Sequence, residues 1–176
     1  MSIAFDEPAL ADAEEIARVH VQCWQETYAG LLPAEFLRTL SADARVTQWQ
    51  EAISDPDVFI CVAREAGRIV GFVSCGSARE DAAKEADGEI FAIYNLKAYH
   101  GRKIDRALIA AAARFWLSKG GRNLIVLSMA GNNQAAAFYE ALGGVRVYEG
   151  SFEIAGTRIG DIGHLFNNLA ELAALA

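Results

Sequence analysis

The chain has 176 residues, of which 53% are hydrophobic and 22% charged, and its formal net charge is −7. This length and composition predict one globular domain over residues 1–176 and exclude an intrinsically disordered protein. The acidic balance argues against nucleic acid as a partner. Charged residues also interrupt every apolar run well short of the length that spans a membrane, so no membrane partner is expected.

Two further features bear on where the protein works. The N-terminal residues MSIAFDEPALADAEE are acidic and lack the basic start and apolar core of a signal peptide, so we expect a cytoplasmic protein. Cys23, Cys61 and Cys75 are widely spaced, without a paired ligand pattern, and are more typical of small buried apolar residues. We therefore expect neither disulfides nor a metal site.

The N-terminal half contains both helical and strand patterns. Residues 2–6 predict a short strand that ends before Pro8. In 11–28 the apolar residues recur every three or four positions, which is typical of an amphipathic helix. The later predictions in this half are helices at 33–40 and 42–54, a β-hairpin of 58–64 and 68–77, and a charged, solvated loop at 78–88.

The C-terminal half begins with EIFAIYNL (89–96), whose nearly continuous apolar character predicts a central strand. An Ala-rich helix at 104–121 follows and ends at two glycines. The remaining predictions are a buried strand at 123–129, a helix at 132–144 with Asn132 or Asn133 as N-cap, a hairpin of 145–154 and 157–166, and a short final helix. This order of elements predicts an α/β fold with a mixed sheet.

The segment YHGRKIDRALIAAA (99–112) joins the central strand to the Ala-rich helix through a basic turn. Helix N-termini present unpaired N–H groups and the positive end of the helix dipole, which suits phosphate groups. A loop that lets phosphate approach the backbone normally carries several glycines, because a Cβ blocks the approach. Here Gly101 stands alone, and Lys103 and Asp105 follow it.

Three segments together resemble the GNAT superfamily of acyl-CoA-dependent N-acetyltransferases. GEIFAIYNLKAYHGRKIDRALI (88–109) is similar to the family's fourth strand, its pyrophosphate loop (Q/R-x-x-G-x-G/A) and the helix after it. GNNQAAAFYEALGG (131–144) is similar to the family helix N-x-x-A-x-x-F-Y-E-x-x-G, and DAEEIARVHVQCWQETYAGLLP (12–33) to the first helix of one branch. The resemblance covers the whole chain. It implies a mostly antiparallel sheet of about seven strands, with helices on both faces, splayed between strands four and five.

The resemblance places acetyl-CoA, as co-substrate, in the opening between those two strands. Its pantetheine would pair with the backbone of strand four at Ile93, Tyr94 and Leu96. Asn132 matches the family asparagine that contacts the pantetheine, although a plain N-cap would look the same. The residues implied for the pyrophosphate are those of the loop and helix start: Gly101, Arg102, Lys103, Ile104, Asp105 and Arg106.

This loop departs from the family pattern and is degenerate. His100 stands where the family has Gln or Arg. Lys103 stands at the position of the first glycine, and Asp105 stands at the position of the Gly or Ala. A Lys103 ammonium attracts phosphate, whereas an Asp105 carboxylate at the N-cap would satisfy the free N–H groups and repel phosphate. Like charges at 4 Å cost roughly 1 kcal/mol in water and about 4 kcal/mol at an intermediate dielectric. Since Arg102, Lys103 and Arg106 oppose Asp105, we expect binding that is weakened but retained.

Two residues are implied as catalytic. In the family, a tyrosine at the place of Tyr139 protonates the departing CoA thiolate, and the alternative interpretation is a core aromatic residue beside Phe138. Glu89 matches the family's general base on strand four, and its alternative is a solvent-facing residue at a strand end. A backbone N–H of strand four would polarise the thioester carbonyl. Direct attack of an amine needs no covalent enzyme intermediate.

The acceptor side is implied to lie beside the turn AGLLP (29–33). Tyr28 is the better candidate for acceptor contact, and Trp24, in a core-facing stripe, is more typical of packing. The leading hypothesis is an N-acetyltransferase that uses acetyl-CoA and a primary amine, either a small molecule or a peptide. The alternative is a GNAT-fold binding or interaction module that has lost catalysis. Members of the family often dimerise, so a homodimer is also consistent with the resemblance.

Overall fold

The computed structural model describes residues 2–79, 82 and 84–175. Within these residues the chain forms seven strands and six α-helices. The strands are β1 (Ile3–Asp6), β2 (Phe59–Glu65), β3 (Arg68–Ser77), β4 (Gly88–Asn95), β5 (Leu124–Met129), β6 (Val145–Ile154) and β7 (Thr157–Phe166). The helices are α1 (Ala13–Thr27), α2 (Ala34–Thr39), α3 (Asp43–Ser54), α4 (Ile104–Ser118), α5 (Asn133–Ala141) and α6 (Leu169–Ala173). The predicted elements are confirmed, with bounds shifted by a few residues.

All seven strands belong to one sheet in the order β1-β2-β3-β4-β5-β7-β6. Neighbouring strands are antiparallel except β4 and β5, which are parallel. The predicted α/β class and the mixed, mostly antiparallel sheet are therefore confirmed, with β4 at the centre. The two predicted hairpins close through Ala66-Gly67 and Ala155-Gly156, where all four φ angles are positive, as a two-residue turn between twisted strands requires.

Helices cover both faces of the sheet. Along β2, Cys61 and Ala63 contribute to the core beneath α4 and α6, whereas Ile60 and Val62 contribute to the core beneath α1 and α3. This alternation follows from the period of two in a strand. The three cysteines are buried free thiols, in keeping with their prediction as small apolar residues. Among the described residues, no helix has the length and apolar character needed to cross a membrane.

The connection between β3 and β4 differs from its prediction as a solvated loop. Residues 80, 81 and 83 of this segment lie outside the described residues. Ala82 and Ala86 are buried against Ile125, so the prediction is wrong at these two positions. Asp87 fixes the end of the segment, because its carboxylate accepts hydrogen bonds from Trp116 Nε1 at 3.0 Å and Arg122 Nε at 3.1 Å. The small alanines in this charged stretch were the signal for burial.

Candidate functional site

The sheet opens between β4 and β5. Their ladder has three register pairs, and the last joins Ile90 to Val126. On its other side β4 contains a bulge, because Cys75 of β3 pairs with Ile90 and Ser74 pairs with Ala92, which leaves Phe91 without an opposite residue. Beyond this point β4 and β5 enclose a cleft of about 330 Å³. The predicted splay between the fourth and fifth strands is present.

Seven of the residues predicted at the site line this cleft. Three lie on β4 or α4, one lies in the loop before α4, two belong to α5 and its N-cap, and one is the C-cap residue of α1. The lining includes Ile93, Tyr94, Gly101, Asp105, Asn132, Tyr139 and Tyr28. Leu96 and Ile104 do not line it. Leu96 donates its amide to Val70 O at 2.9 Å on the β3 side, and Ile104 is buried in the core.

The loop before α4 has a conformation suited to anions. Gly101 has φ +78°, and a Cβ at this position would meet no atom of the described residues within 4 Å. Lys103 is the N-cap residue of α4 and also has a left-handed conformation, with φ +62°. Among the described residues, no acceptor hydrogen-bonds to the amides of Lys103, Ile104 or Asp105. These amides are therefore available to an anion at the helix start.

Asp105 does not occupy the N-cap position considered for it in the sequence. It lies in the first turn of α4, where its Oδ1 accepts the amide of Arg106 at 3.2 Å. Its side chain is half-buried and lines the cleft. The carboxylate thus engages one amide of the turn and leaves the preceding ones unoccupied, although it remains a negative charge beside them.

The three predicted cations of this loop have different surroundings. Arg102 forms an ion pair with Glu65 Oε1 at 2.8 Å, and Glu65 also accepts the hydroxyl of Tyr99 at 3.1 Å. Lys103 and Arg106 are exposed and do not line the cleft. Glu65 of the β2–β3 hairpin, which is distant in sequence, neutralises Arg102. The excess of positive charge that opposes Asp105 is therefore smaller than the three cations in the sequence indicated.

Tyr139 and Asn132 face the cleft from α5. Asn132 is the N-cap residue, and its Oδ1 accepts the amide of Ala135 at 3.2 Å. Tyr139 is buried, with its ring against His164 and Phe166 of β7. Burial, and after it the charges of Tyr28 and Asp105, raises the pKa of Tyr139 above its usual value. The phenol is therefore protonated at neutral pH, the form that can donate a proton.

A second cavity, of about 650 Å³, is lined by Trp24, Tyr28, Glu89, Phe152 and Asp161 among others. Trp24 is half-buried, and its Nε1 has no hydrogen-bond partner in the described part of the chain. The predicted acceptor-side residues, Trp24 and Tyr28, thus share this cavity with the predicted base, Glu89. Arg79 also lines this cavity and forms an ion pair with Glu89, so the lining combines aromatic rings, two carboxylates and one guanidinium.

Glu89 is not the solvent-facing strand-end residue considered as an alternative, because it is 1% exposed. Its Oε2 accepts the amide of Arg79 at 3.0 Å and the Nε at 3.1 Å, and its Oε1 pairs with the same guanidinium. Arg79 itself is largely exposed, and it lies over the ring of Phe91 at 4.9 Å. Nothing in the sequence linked Arg79 to the site, since it lies in the loop whose course was not predicted.

The two cavities share one wall, formed by Tyr28, Tyr94, Leu127 and Ser128. Here the hydroxyls of Tyr28 and Tyr94 are 2.9 Å apart and share a hydrogen bond. The family resemblance implied an acceptor contact for Tyr28 and a cofactor contact for Tyr94, and the fold brings both to the boundary between the two cavities. Their contact, across 66 positions of the chain, had no sequence signal.

Comparison with known proteins identifies the family. The model of the acetyltransferase (GNAT) family matches residues 14–144, which is more than half of the chain. The chain belongs to the GNAT acetyltransferase family. This GNAT protein is 34% identical over 169 residues to the uncharacterized N-acetyltransferase YuaI of Bacillus subtilis (strain 168), which covers 96% of this chain and 95% of the relative.

Solved structures share the fold of this GNAT protein. The PaiA N-acetyltransferase from Thermoplasma acidophilum, in complex with coenzyme A, has a TM-score of 0.71 at 19% identity, covering 92% of this chain and 98% of that one. YncA, a putative acetyltransferase from Salmonella typhimurium with its cofactor acetyl-CoA, has a TM-score of 0.70 at 18% identity, covering 95% and 94%. An N-acetyltransferase from Staphylococcus aureus Mu50 has a TM-score of 0.76 at 16% identity, covering 95% and 99%.

Proposed function

We propose that this GNAT protein transfers an acetyl group from acetyl-CoA to a primary amine. The observation that carries the proposal is the meeting of two cavities at the gap between β4 and β5. One of them leads to the unoccupied amides of α4, and the other opens beside acidic and aromatic side chains. A thioester in the first cavity and an amine in the second would meet at the shared wall.

Two features of the first cleft, and the comparison with solved structures, support acetyl-CoA as the co-substrate. Among the described residues, β4 forms no ladder with β5 beyond the bulge, so its backbone there can pair with the amide groups of pantetheine, apart from the Asn95 carbonyl, which bonds to His100 Nε2 at 3.3 Å. The amides of Lys103, Ile104 and Asp105 suit a pyrophosphate. The PaiA and YncA proteins, which have the same fold, hold coenzyme A and acetyl-CoA respectively.

The reaction would be a direct acyl transfer. The amine nitrogen attacks the thioester carbonyl, a C–N bond forms, the C–S bond breaks, and the thiolate takes the hydroxyl proton of Tyr139. A backbone N–H of β4 near the bulge at Phe91 would stabilise the negative charge on the carbonyl oxygen. The amine proton would pass to Glu89 through water, as the family likeness implies, or directly to solvent. Arg79 already engages both Glu89 oxygens. The water that carries the proton would therefore have to bind to the lone pairs that Arg79 leaves unused.

A second candidate function, a non-catalytic GNAT-fold binding module, rests on Asp105. Its carboxylate lines the cleft beside the proposed pyrophosphate site, where it opposes phosphate binding. If this repulsion prevails, the cleft no longer takes acetyl-CoA at cellular concentrations, and the remaining surfaces would serve binding alone.

Calorimetric titration with acetyl-CoA and CoA, followed by a transfer assay, tests both candidates. We expect the natural protein to bind acetyl-CoA and to acetylate at least one member of a panel of alkylamines, arylalkylamines and lysine peptides. Tyr139→Phe is expected to lower kcat by about 100-fold, the scale of general acid catalysis, with an unchanged Kd for acetyl-CoA. Tyr99→Phe, whose hydroxyl bonds to Glu65 away from both cavities, is the matched control. Binding that appears only in the Lys103→Gly/Asp105→Gly variant would overturn the enzymatic proposal and support the binding module.

A further inference from the structure

The Tyr28 and Tyr94 hydroxyls lie at the boundary between the two cavities. Both side chains line the cleft between β4 and β5, and both also line the second cavity. Their oxygens are 2.9 Å apart. An acyl donor in one cavity and an acceptor in the other must therefore react next to this pair of hydroxyl groups.

Packing holds the two rings in place. Tyr28 is the C-cap residue of α1, its amide bonds to Trp24 O at 3.0 Å, and its ring lies edge-on to the Trp24 ring with centroids 5.1 Å apart. The ring of Tyr94 packs against His20 at 5.4 Å and Phe72 at 5.9 Å. Because the rings are fixed by their neighbours, the hydroxyls are oriented before any ligand enters, which lowers the cost of binding one.

The pair has unused hydrogen-bonding capacity. Either oxygen can be the donor in the bond that joins them, so one O–H remains free together with the lone pairs that this bond does not use. Within the described part of the chain, no other group hydrogen-bonds to either hydroxyl. Ser128, on the same wall, has a buried Oγ that likewise finds no partner among the described residues. Buried polar groups are normally satisfied, so this cluster of hydroxyls is suited to a polar ligand.

We propose that the hydroxyl pair of Tyr28 and Tyr94 binds the attacking nitrogen of the acceptor and directs its lone pair at the thioester carbonyl. This inference rests on the proposed acetyl transfer and assigns a nitrogen subsite to it. The phenol oxygens accept N–H hydrogen bonds. As the C–N bond forms, the nitrogen becomes positive, and hydrogen bonds to a charged donor are stronger. The pair therefore binds the transition state more tightly than the free amine, which is the condition for catalysis.

The phenols act as hydrogen-bond acceptors and not as bases. Burial raises the pKa of Tyr28, and burial followed by the neighbouring Tyr28 raises the pKa of Tyr94 well above its ordinary value. Both groups therefore keep their protons near neutral pH, and the surplus proton of the nitrogen leaves through water in the acceptor cavity. A primary amine has two N–H groups for the two oxygens once its lone pair is used. A secondary amine has one, so the subsite selects primary amines.

Two CoA thioethers test the subsite without requiring turnover. One carries an N-propyl acetamide on sulfur and presents an N–H where the attacking nitrogen would lie. The other carries the N-methyl-N-propyl acetamide and has no N–H. We expect the natural protein to bind the first about tenfold more tightly than the second, the scale of one hydrogen bond. Tyr28→Phe and Tyr94→Phe should each reduce this preference to less than threefold and leave the Kd of CoA unchanged. Tyr99→Phe should keep the full preference.

The outcomes separate this inference from the proposed function. Equal affinity of the natural protein for the two thioethers, or a full preference in both tyrosine variants, would overturn the nitrogen subsite while CoA binding stands. Failure of the natural protein to bind CoA would overturn the proposed function and the subsite with it. Unchanged binding of CoA by the variants shows that they are folded, so a loss of preference cannot be a loss of structure.

Discussion

At the scale of single residues, Lys103 has an unusual backbone conformation for a residue with a Cβ. It lies in the left-handed region, with φ +62° and ψ +17°, directly before α4. This conformation costs an L-residue roughly 1–2 kcal/mol relative to the right-handed form, and glycine adopts it without that cost. The family pattern has glycine at this position. Compared with glycine, the lysine therefore lowers the free energy of unfolding and adds a positive charge beside the proposed pyrophosphate site.

Lys103→Gly and Lys103→Ala separate the backbone cost from the charge. Both variants remove the ammonium, but only glycine relieves the strained φ angle. We expect the glycine variant to have a free energy of unfolding about 1 kcal/mol higher than the alanine variant in urea denaturation. Equal stability of the two variants would contradict the left-handed conformation. Acetyl-CoA affinity, measured in parallel, would report the lost charge in both.

At the scale of elements, the start of β4 is held by the loop that precedes it. Glu89 of β4 is buried, whereas the side chain of its partner Arg79 is 64% exposed. The two members of the pair therefore differ in what their removal leaves behind. Without Arg79, a buried carboxylate loses its counter-charge. Without the carboxylate charge, the guanidinium can still reach water.

We predict that Arg79→Ala destabilises the protein by about 3 kcal/mol, because it leaves an uncompensated buried charge. Glu89→Gln should cost about 1 kcal/mol, the scale of weakened hydrogen bonds to an exposed group. Arg79→Lys, which keeps the charge, should fall between them. Urea denaturation of the three variants gives this order. A larger loss in Glu89→Gln than in Arg79→Ala would mean that the guanidinium, and not the carboxylate, is the group that depends on the pair.

Much of the fold could be predicted because the elements carry local signals. The Ala-Gly turns between strand-like segments defined the two hairpins, and the apolar run at β4 identified a central strand. The three-pair ladder of β4 with β5 and the bulge at Phe91 could not be predicted from residue patterns, since they depend on the partner strands. Among the site residues, Tyr139 and Asn132 carried a recognisable motif. The bond between Tyr28 and Tyr94 and the pairing of Arg102 with Glu65 join distant segments, so no local pattern indicates them.

At the scale of the whole molecule, a buried histidine makes stability depend on pH. His20 packs among Trp24, Trp49, Phe72 and Tyr94, and burial, followed by the charge of Arg45, lowers its pKa to about 3. Between the unfolded value of 6.5 and that native value, the unfolded chain binds a proton at His20 and the native protein does not. The free energy of unfolding therefore falls as the pH falls through this window.

We expect His20 to account for a loss of about 2 kcal/mol between pH 7 and pH 5, at about 1.4 kcal/mol for each pH unit below 6.5. Urea denaturation at the two pH values should show this loss in the natural protein and a smaller one in His20→Phe. Burial also lowers the pKa of His164, which adds a loss of the same sign to both proteins. An equal slope in His20→Phe would contradict the prediction.

The carboxylates act in a different pH range. Hydrogen bonds from Arg64 lower the pKa of Asp12. Burial alone would raise the pKa of Asp87, but the hydrogen bonds from Trp116, Arg122 and Asn123 outweigh it and lower that pKa. Their stabilising contributions are complete above the unfolded value near 3.8 and are lost only as the pH falls below it. The interval from pH 7 to pH 5 therefore isolates the histidines.

The short ladder between β4 and β5 also affects how the protein is made. As the chain leaves the ribosome, β5 can form three pairs with β4, whereas its six pairs with β7 must wait until residues 157–166 have been synthesised. The wall of the cleft on the β5 side is thus secured only after β7 has been made. A nascent chain that stops before β7 would carry the loop, α4 and Tyr139 with one side of the gap unsupported.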